Sequence, residues 1–532
     1  MKTISKYVSV LLVAALTFTA CEDWMNAEPE GATKTADQKS DAASQNPSAA
    51  AADISAIYAQ FIQLYAGLGD LGYSRHNDFG YASIRMFTEE QGQDYVSPNI
   101  GYNWFNFSDF TKNRDNSLST TYGLIDHLVW NEYYKIIAAC NNVIGLADRD
   151  NPGSQRYALS QALAVRAMCY LELAQLYQAT YSDATKALPC VPIVKENMPA
   201  DRQLTNPRAT MDEVFTMIME DLTYACDSLD GFVRSDKGYV DQAVALGLRA
   251  RANLVMQKWA EAAADADKAL QLSGVTPLSI AEASQPGFSM AEAHNVLWAS
   301  IVVETNDVVQ TGIINWPSHL STFYGDGYTG VGATRWISSA LYEDIPATDV
   351  RKGWWLDENL SSPLLDAPGY NALKADIIAQ ETPYLNVKFG TGDGTVTGLA
   401  AAAADWILMR AEELILIKAE GLAKSGGDGA GTLSSFVQTY RDPLYNVAQH
   451  GLSLEDEIWW QRRVELWGEG FAWGDIVRLQ KDIVRTNSIN WPAEWADQDV
   501  KYGGIYLWRI PQAEIEANQG ISEADNNPVV AY

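Results

Sequence analysis

Two kinds of residue in this chain could act on a ligand, and they imply different chemistry. The first is a pair of carboxylates, Glu465 and Glu469, in QRRVELWGEGFAWGDIVRL. Residues four apart on a helix share a face, so the two acids could serve as an acid and base pair. Glycoside hydrolysis, however, needs two carboxyls at a defined separation across a sugar. Arg462 and Arg463 stand beside them and can neutralise them through bidentate pairing, so a buried structural network is the plainer reading. Asp475 with Arg478 has the same explanation, as do Glu412, Glu413 and Glu420 among Leu414, Ile415 and Ile417.

The second kind is aromatic. GYNWFNFSDF supplies Tyr102, Trp104, Phe105 and Phe107 among asparagines, and INWPSHLSTFYGDGYTGVGATRW supplies Trp316, Tyr324, Tyr328 and Trp336. Flat rings stack on the apolar faces of sugars while a few oriented polar groups hold the hydroxyls, the general design of a small-ligand site. Trp104, Trp316, Tyr324, Trp336, Tyr102 and Tyr328 are the ring candidates. Asn77, Asp78 and Arg85, in RHNDFGYASIRMF, are the candidates for polar recognition. Ordinary packing competes for each, since tryptophan and tyrosine are often buried without touching a ligand.

Other chemistries lack their residues. The five histidines, His76, His127, His294, His319 and His450, form no HExxH pair, and the cysteines lack zinc-ligand spacing. GTGDGTVTG and KSGGDGAG lack the lysine and hydroxyl residue that follow the glycines of a phosphate loop, and no complete calcium motif or serine elbow appears. No metal or cofactor is expected. A formal charge of −29 opposes nucleic-acid binding, and no basic patch offsets it.

The elements that position these residues begin with a leader. Lys2 and Lys6 precede a mostly apolar run from Val8 to Ala20, too short to span a bilayer, and Cys21 follows the small residues Thr19 and Ala20. This is similar to a bacterial lipoprotein signal: residues 1–20 are removed, and Cys21 is acylated and holds the chain at a membrane. Residues 21–50 are polar, Ala-rich and without periodicity, as a flexible tether would be. From Asp53 the spacing predicts helix, then further helices over about 120–147, 154–179, 210–229 and 238–271, the last split near Gln257. Between about 272 and 400, Gly, Pro, Asn and aromatics punctuate short apolar runs such as NVLWASIVVE, which reads as an irregular lobe with short strands. Helix resumes at AADWILMRAEELILIKAEGLAKSGG and again around 433–441 and 453–480. The fold class is mostly α, a tetratricopeptide-like repeat scaffold over about 51–271 and 401–480 that carries the loop-rich lobe. With Cys190, the cysteines are too sparse for a disulfide scaffold, though export permits a bridge; Cys140, Cys169 and Cys226 fall among apolar helical positions, where buried thiols are the plainer reading.

Several blocks together resemble the SusD/RagB family, the surface glycan-binding lipoproteins of polysaccharide-utilisation systems in Bacteroidetes. They are the leader ending at Cys21, ALAVRAMCYLELAQLYQATY followed by ALPCVPIV, NPRATMDEVFTMIMEDLTYA, MRAEELILIKAEGLA, QRRVELWGEGFAWGDIVRL and LWRIPQAEIEANQG before NNPVVAY. The resemblance spans about residue 50 to the terminus. It implies one SusD-like domain over 51–532, with four helical repeats supporting a variable ligand-binding lobe at about 272–400. It also implies a lipid-anchored protein on the outside of the outer membrane, lying over a SusC-like TonB-dependent transporter. The implied activity is binding without catalysis, delivering an oligosaccharide or another small neutral nutrient. The competing readings are a glycoside hydrolase, a carrier of peptide or other non-glycan cargo, and a structural surface protein.

Overall fold

A computed structural model describes residues 47–111 and 115–530. The leader, Cys21 and most of the expected tether lie outside the described residues. The first helix, α1 (Pro47–Gln60), begins six residues ahead of the expected start at Asp53. After α2 (Tyr81–Glu90), the scaffold helices are α3 (Thr121–Ile144), α4 (Arg156–Tyr177), α5 (Met211–Ser228), α6 (Gln242–Val255) and α7 (Trp259–Ser273). They continue as α8 (Ala411–Ser425), α9 (Gly429–Tyr440), α10 (Leu454–Glu465) and α11 (Ala472–Arg478).

Each helix from α3 to α8 packs on the next, and α8 also packs on α9 and α10. Because α7 lies directly against α8, the chain leaves the stack after Ser273 and rejoins it at Ala411. Helix α4 sits in the middle of this series and is apolar almost all round, so nearly its whole length is buried. Its one buried cation, Arg166, forks onto Asp221 of α5 at 2.8 and 3.1 Å, which locks the two helices in register.

Local sequence explains the boundaries. Thr210 and Glu213 close a reciprocal capping box that starts α5. Gln257, at φ +60°, breaks α6 from α7 where the split was expected. Cys140, Cys169, Cys190 and Cys226 are free and buried, in agreement with the thiol reading.

Two segments depart from expectation. WILMR (Trp406–Arg410) is a strand, β4, paired antiparallel with β2 (Val296–Ser300), and helix begins only at Ala411. All five β4 residues are buried, and a short, fully buried apolar run has no periodicity to separate strand from helix. The helix expected over 453–480 is two helices, α10 and α11. Gly468 and Gly470 between them adopt φ of +79° and +83°, and a Cβ on Gly470 would collide with the backbone and side chain of Arg85. A second small pairing joins β1 (Tyr95–Val96) to β3 (Trp336–Ile337) and ties the segment after α2 to the lobe.

Candidate functional site

The acid pair is structural. Glu465 is fully buried, with Oε1 accepting from Arg410 and Arg441 at 2.8 Å each and Oε2 accepting from Arg441 at 2.8 Å and Arg351 at 3.3 Å. Glu469 accepts from Arg410 at 2.8 Å and from Lys388 at 2.6 Å. Burial alone would push the Glu465 carboxyl up, but Arg441 and Arg410 outweigh it and hold that carboxyl well below the usual carboxylate range. The neutralising arginines are not the neighbours expected from sequence. Arg462 pairs with Asp475 at 2.7 Å, and Arg463 forks onto Asp94 at 2.7 and 2.5 Å. Glu412, Glu413 and Glu420 are likewise matched, to Arg441, Arg251 and Arg478. With every oxygen of the pair held by a fixed cation, neither acid is placed to give or take a proton.

A different cluster faces outward, where the turn before α2, the loop after β1 and a short turn of the lobe meet. Trp104 stacks on His76, with centroids 4.7 Å apart and planes 20° apart. The Tyr328 ring leans on His76 at 5.8 Å, and its hydroxyl hydrogen-bonds His76 Nδ1. Beneath them His319 stacks between Tyr328, at 4.9 Å, and Phe79, at 5.6 Å. The His319 Nε2–H donates to the His76 carbonyl at 2.9 Å, while burial drives its basicity far below the usual value, so the ring is a neutral, fixed filler. Burial also lowers the basicity of His76. Trp104, His76 and Tyr328 are half-buried, and Tyr102, two residues before Trp104, is 62% exposed.

Buried polar groups hold this platform. The amide of Asn77 donates to the Trp104 carbonyl at 2.7 Å. Asn103 accepts from Arg335 Nη2 at 2.8 Å and from the Phe105 amide at 3.1 Å, so the loop carrying Trp104 is pinned to the lobe. The turn at Tyr328 is fixed by its own amide on Ser318 Oγ at 3.1 Å. Gly327 permits that approach, since a Cβ there would lie 2.6 Å from Ser318 Cα.

Comparison with known proteins fits this architecture. A family model described as "Starch-binding associating with outer membrane" matches residues 37–252, and one described as "SusD family" matches residues 353–528. This protein belongs to the SusD/RagB family. A "SusD-like protein" of Bacteroides ovatus is 23% identical over 257 residues, 47% of this chain and 39% of that relative's length. Among solved structures, a "SusD-like carbohydrate binding protein" of Bacteroides vulgatus superposes with a TM-score of 0.69 at 22% identity, covering 91% of this chain and 98% of that one. A "SusD superfamily protein" of Bacteroides thetaiotaomicron gives 0.67 at 20% identity over 90% and 99% of the two chains. Among the described residues of this SusD-family protein, no helix is long and apolar enough to cross a membrane.

Several residues expected to touch a ligand are instead built into the fold. Trp316 is 3% exposed; it opens a short helix capped by Asn315, its indole N–H donates to Ala404 O at 2.8 Å, and Phe389 and Trp406 meet its ring edge-on. Tyr324, 1% exposed, donates its hydroxyl to Gly312 O at 2.7 Å. Asp78 accepts the amides of Gly67 and Leu68 at 3.0 and 2.8 Å, and burial still pushes its carboxyl up to about 6. Arg85 is buried against Glu172 at 3.2 Å and over the ring of Phe471 at 4.9 Å, beside a cavity of about 70 Å³ whose charges are already paired. Such a cavity has room for a few waters. Trp336 is half-buried with Val96, Trp491 and Trp495, in a separate aromatic ledge. The structure therefore brings together Trp104 and Tyr328 around His76 with, as a support, Asn77, and leaves Tyr102 exposed. Sequence reasoning missed His76, Arg75, His319 and Arg335. The first two stand in the same RHND run as Asn77, and asparagine and aspartate in a turn most often bond their own backbone, which leaves the flanking Arg and His as the freer side chains.

Proposed function

We propose that this protein captures glycans outside the cell by laying sugar rings on the Trp104–His76–Tyr328 platform and passes them on to a SusC-like TonB-dependent transporter. The observation that carries the proposal is a rigid, half-exposed indole backed by a stacked imidazole, with asparagines and a phenol around it. An aromatic face fixed before the ligand arrives loses little entropy on binding. Membership in a family described as starch-binding and outer-membrane associated supports the cargo class, and so does the carbohydrate-binding label of the similar Bacteroides vulgatus structure. Acylation at Cys21 would hold the protein on the outer leaflet, within reach of the transporter. The acid pair supports capture without cleavage, since its carboxylates are occupied by Arg351, Arg410, Arg441 and Lys388.

A glycan array on the purified protein tests this reading. Recovered ligands should keep their full length, and Trp104→Ala should weaken binding by roughly 30-fold, the loss of one central aromatic anchor worth about 2 kcal/mol. Cross-linking on intact cells should join the protein to an outer-membrane barrel. A blank array would overturn the cargo class, and shortened glycans released with turnover would overturn the binding reading.

A further inference from the structure

Among the described residues almost every guanidinium is engaged by the protein. Arg166 holds Asp221; Arg351, Arg410 and Arg441 hold Glu465; Arg462 and Arg478 hold Asp475; Arg335 holds Asn103. Arg202, in the short helix Ala200–Gln203, is exposed. Arg75 differs from both groups. It is half-buried at the edge of the platform with its guanidinium 5.8 Å from the Trp104 ring centroid, and that guanidinium makes no hydrogen bond or ion pair among the described residues. Burial weakens its hold on its proton, an effect the nearby phenol of Tyr73 partly offsets.

This arrangement is unusual in a chain with formal charge −29, where acids are abundant. A half-desolvated guanidinium lacking a counter-charge favours a carboxylate over a hydroxyl, because a bidentate charged pair is about twice as strong as a neutral hydrogen bond. We infer that the platform takes an acid-bearing saccharide, a uronate whose carboxylate pairs with Arg75 while its ring or a neighbouring ring lies on Trp104. The inference rests on the glycan-capture reading and narrows it. The protein's overall charge opposes a polyanion at long range, but that field is screened beyond about 10 Å at 0.1 M salt, and a contact pair within the site is screened far less.

The test is a panel of uronate-containing oligosaccharides, each printed beside its carboxyl-reduced neutral counterpart, probed with the full protein and two variants. The wild type should bind acidic members roughly tenfold more tightly than their neutral partners. Arg75→Gln should erase that preference with the melting temperature unchanged, and Trp104→Ala should weaken binding of acidic and neutral members alike. The wild-type preference should shrink at about 1 M salt, where the screening length is about 3 Å. Equal binding of neutral and acidic members, with Trp104 still required, would overturn this inference and leave glycan capture standing. An acid preference that survives Arg75→Gln would overturn the assignment to Arg75. Binding to no member of the panel would overturn both readings.

Discussion

Glu465→Gln separates a structural network from a catalytic acid. In the folded protein the Glu465 carboxylate meets Arg410, Arg441 and Arg351 with no exposure to solvent, and three of its four contacts are at 2.8 Å. Glutamine keeps the shape and removes the charge, leaving three guanidiniums sharing fewer buried counter-charges. Removing one partner of a buried pair costs about 3–5 kcal/mol, because the remaining charge stays desolvated. Unfolding entropy near 60 °C is about 2.1 cal/mol/K per residue, so the roughly 480 described residues give about 1 kcal/mol/K. A loss of about 4 kcal/mol therefore lowers the melting temperature by about 4 °C. Scanning calorimetry on the two proteins reads this directly. The pH dependence adds a second signature. The folded carboxyl is held below its unfolded value near 4.3, so its contribution is fully present above that pH and fades as pH falls toward the folded value. The gap between wild type and variant should close on acidification. Adding Arg441→Met to Glu465→Gln should recover part of the loss, since it restores the charge match. A Glu465→Gln protein that melts within 1 °C of wild type, or one that melts normally while losing glycan cleavage, would refute the structural assignment.

Glu132 on α3 is buried, and neither of its carboxyl oxygens has a hydrogen-bond partner among the described residues; burial pushes the carboxyl well above its ordinary value. A raised folded value means stability falls as pH rises above about 4.3, by up to about 1.4 kcal/mol per unit, so Glu132→Leu should stabilise the protein more at pH 8 than at pH 4 in denaturant titrations. Cys140, Cys169, Cys190 and Cys226 should resist a thiol reagent in the native state and react together on unfolding, because burial raises all four thiols, those of Cys190 and Cys226 to about 12. Arg335→Met should speed amide exchange across residues 99–106 and weaken glycan binding several-fold without touching the ligand, since it frees Asn103 from the lobe.

Patterns that repeat within one element were legible in the sequence. The helical faces of α3 to α7, the cap at Thr210 and the break at Gln257 depend on local spacing and local chemistry. The strand β4 was not, because WILMR is buried on both faces and a strand of that kind is defined by its partner β2, more than a hundred residues away. The partners of Glu465 were hidden for the same reason: Arg351, Arg410 and Arg441 come from three separate elements, while Arg462 and Arg463, adjacent in sequence, point to Asp475 and Asp94. Trp104 and Trp316 sit in stretches of similar composition and meet opposite fates. Trp316 begins a helix through Asn315 and Pro317, which turns its ring inward, whereas Trp104 follows a turn closed by the Asn103 amide on Ile100 O, which leaves its ring at the surface.

The placement of the buried charges explains why the platform can be rigid although it is made of loops. Glu465 and Glu469 lie at the end of α10 and in the glycine turn after it, and their cations come from the lobe through Arg351 and Lys388 and from β4 through Arg410. The same turn reaches the other side of the platform: Glu89 at the end of α2 accepts the amides of Gly468 and Gly470 at 2.9 Å each, and Trp467 donates to Asp94 O at 2.9 Å. The lobe that carries Tyr328 and the segment that carries His76 and Trp104 are therefore both fastened to one short stretch of chain, residues 465–470. Apolar packing alone would give comparable stability, since buried ion pairs often do no better than hydrophobic replacements. Directional bonds of fixed length also set the separation of the two halves. A stacking surface assembled from two chain segments works only if that separation holds to a fraction of an ångström. Loosening the turn by Glu89→Gln should accordingly weaken glycan binding through a faster off-rate, with Trp104, His76 and Tyr328 all still in place; an unchanged off-rate would separate the network from the platform.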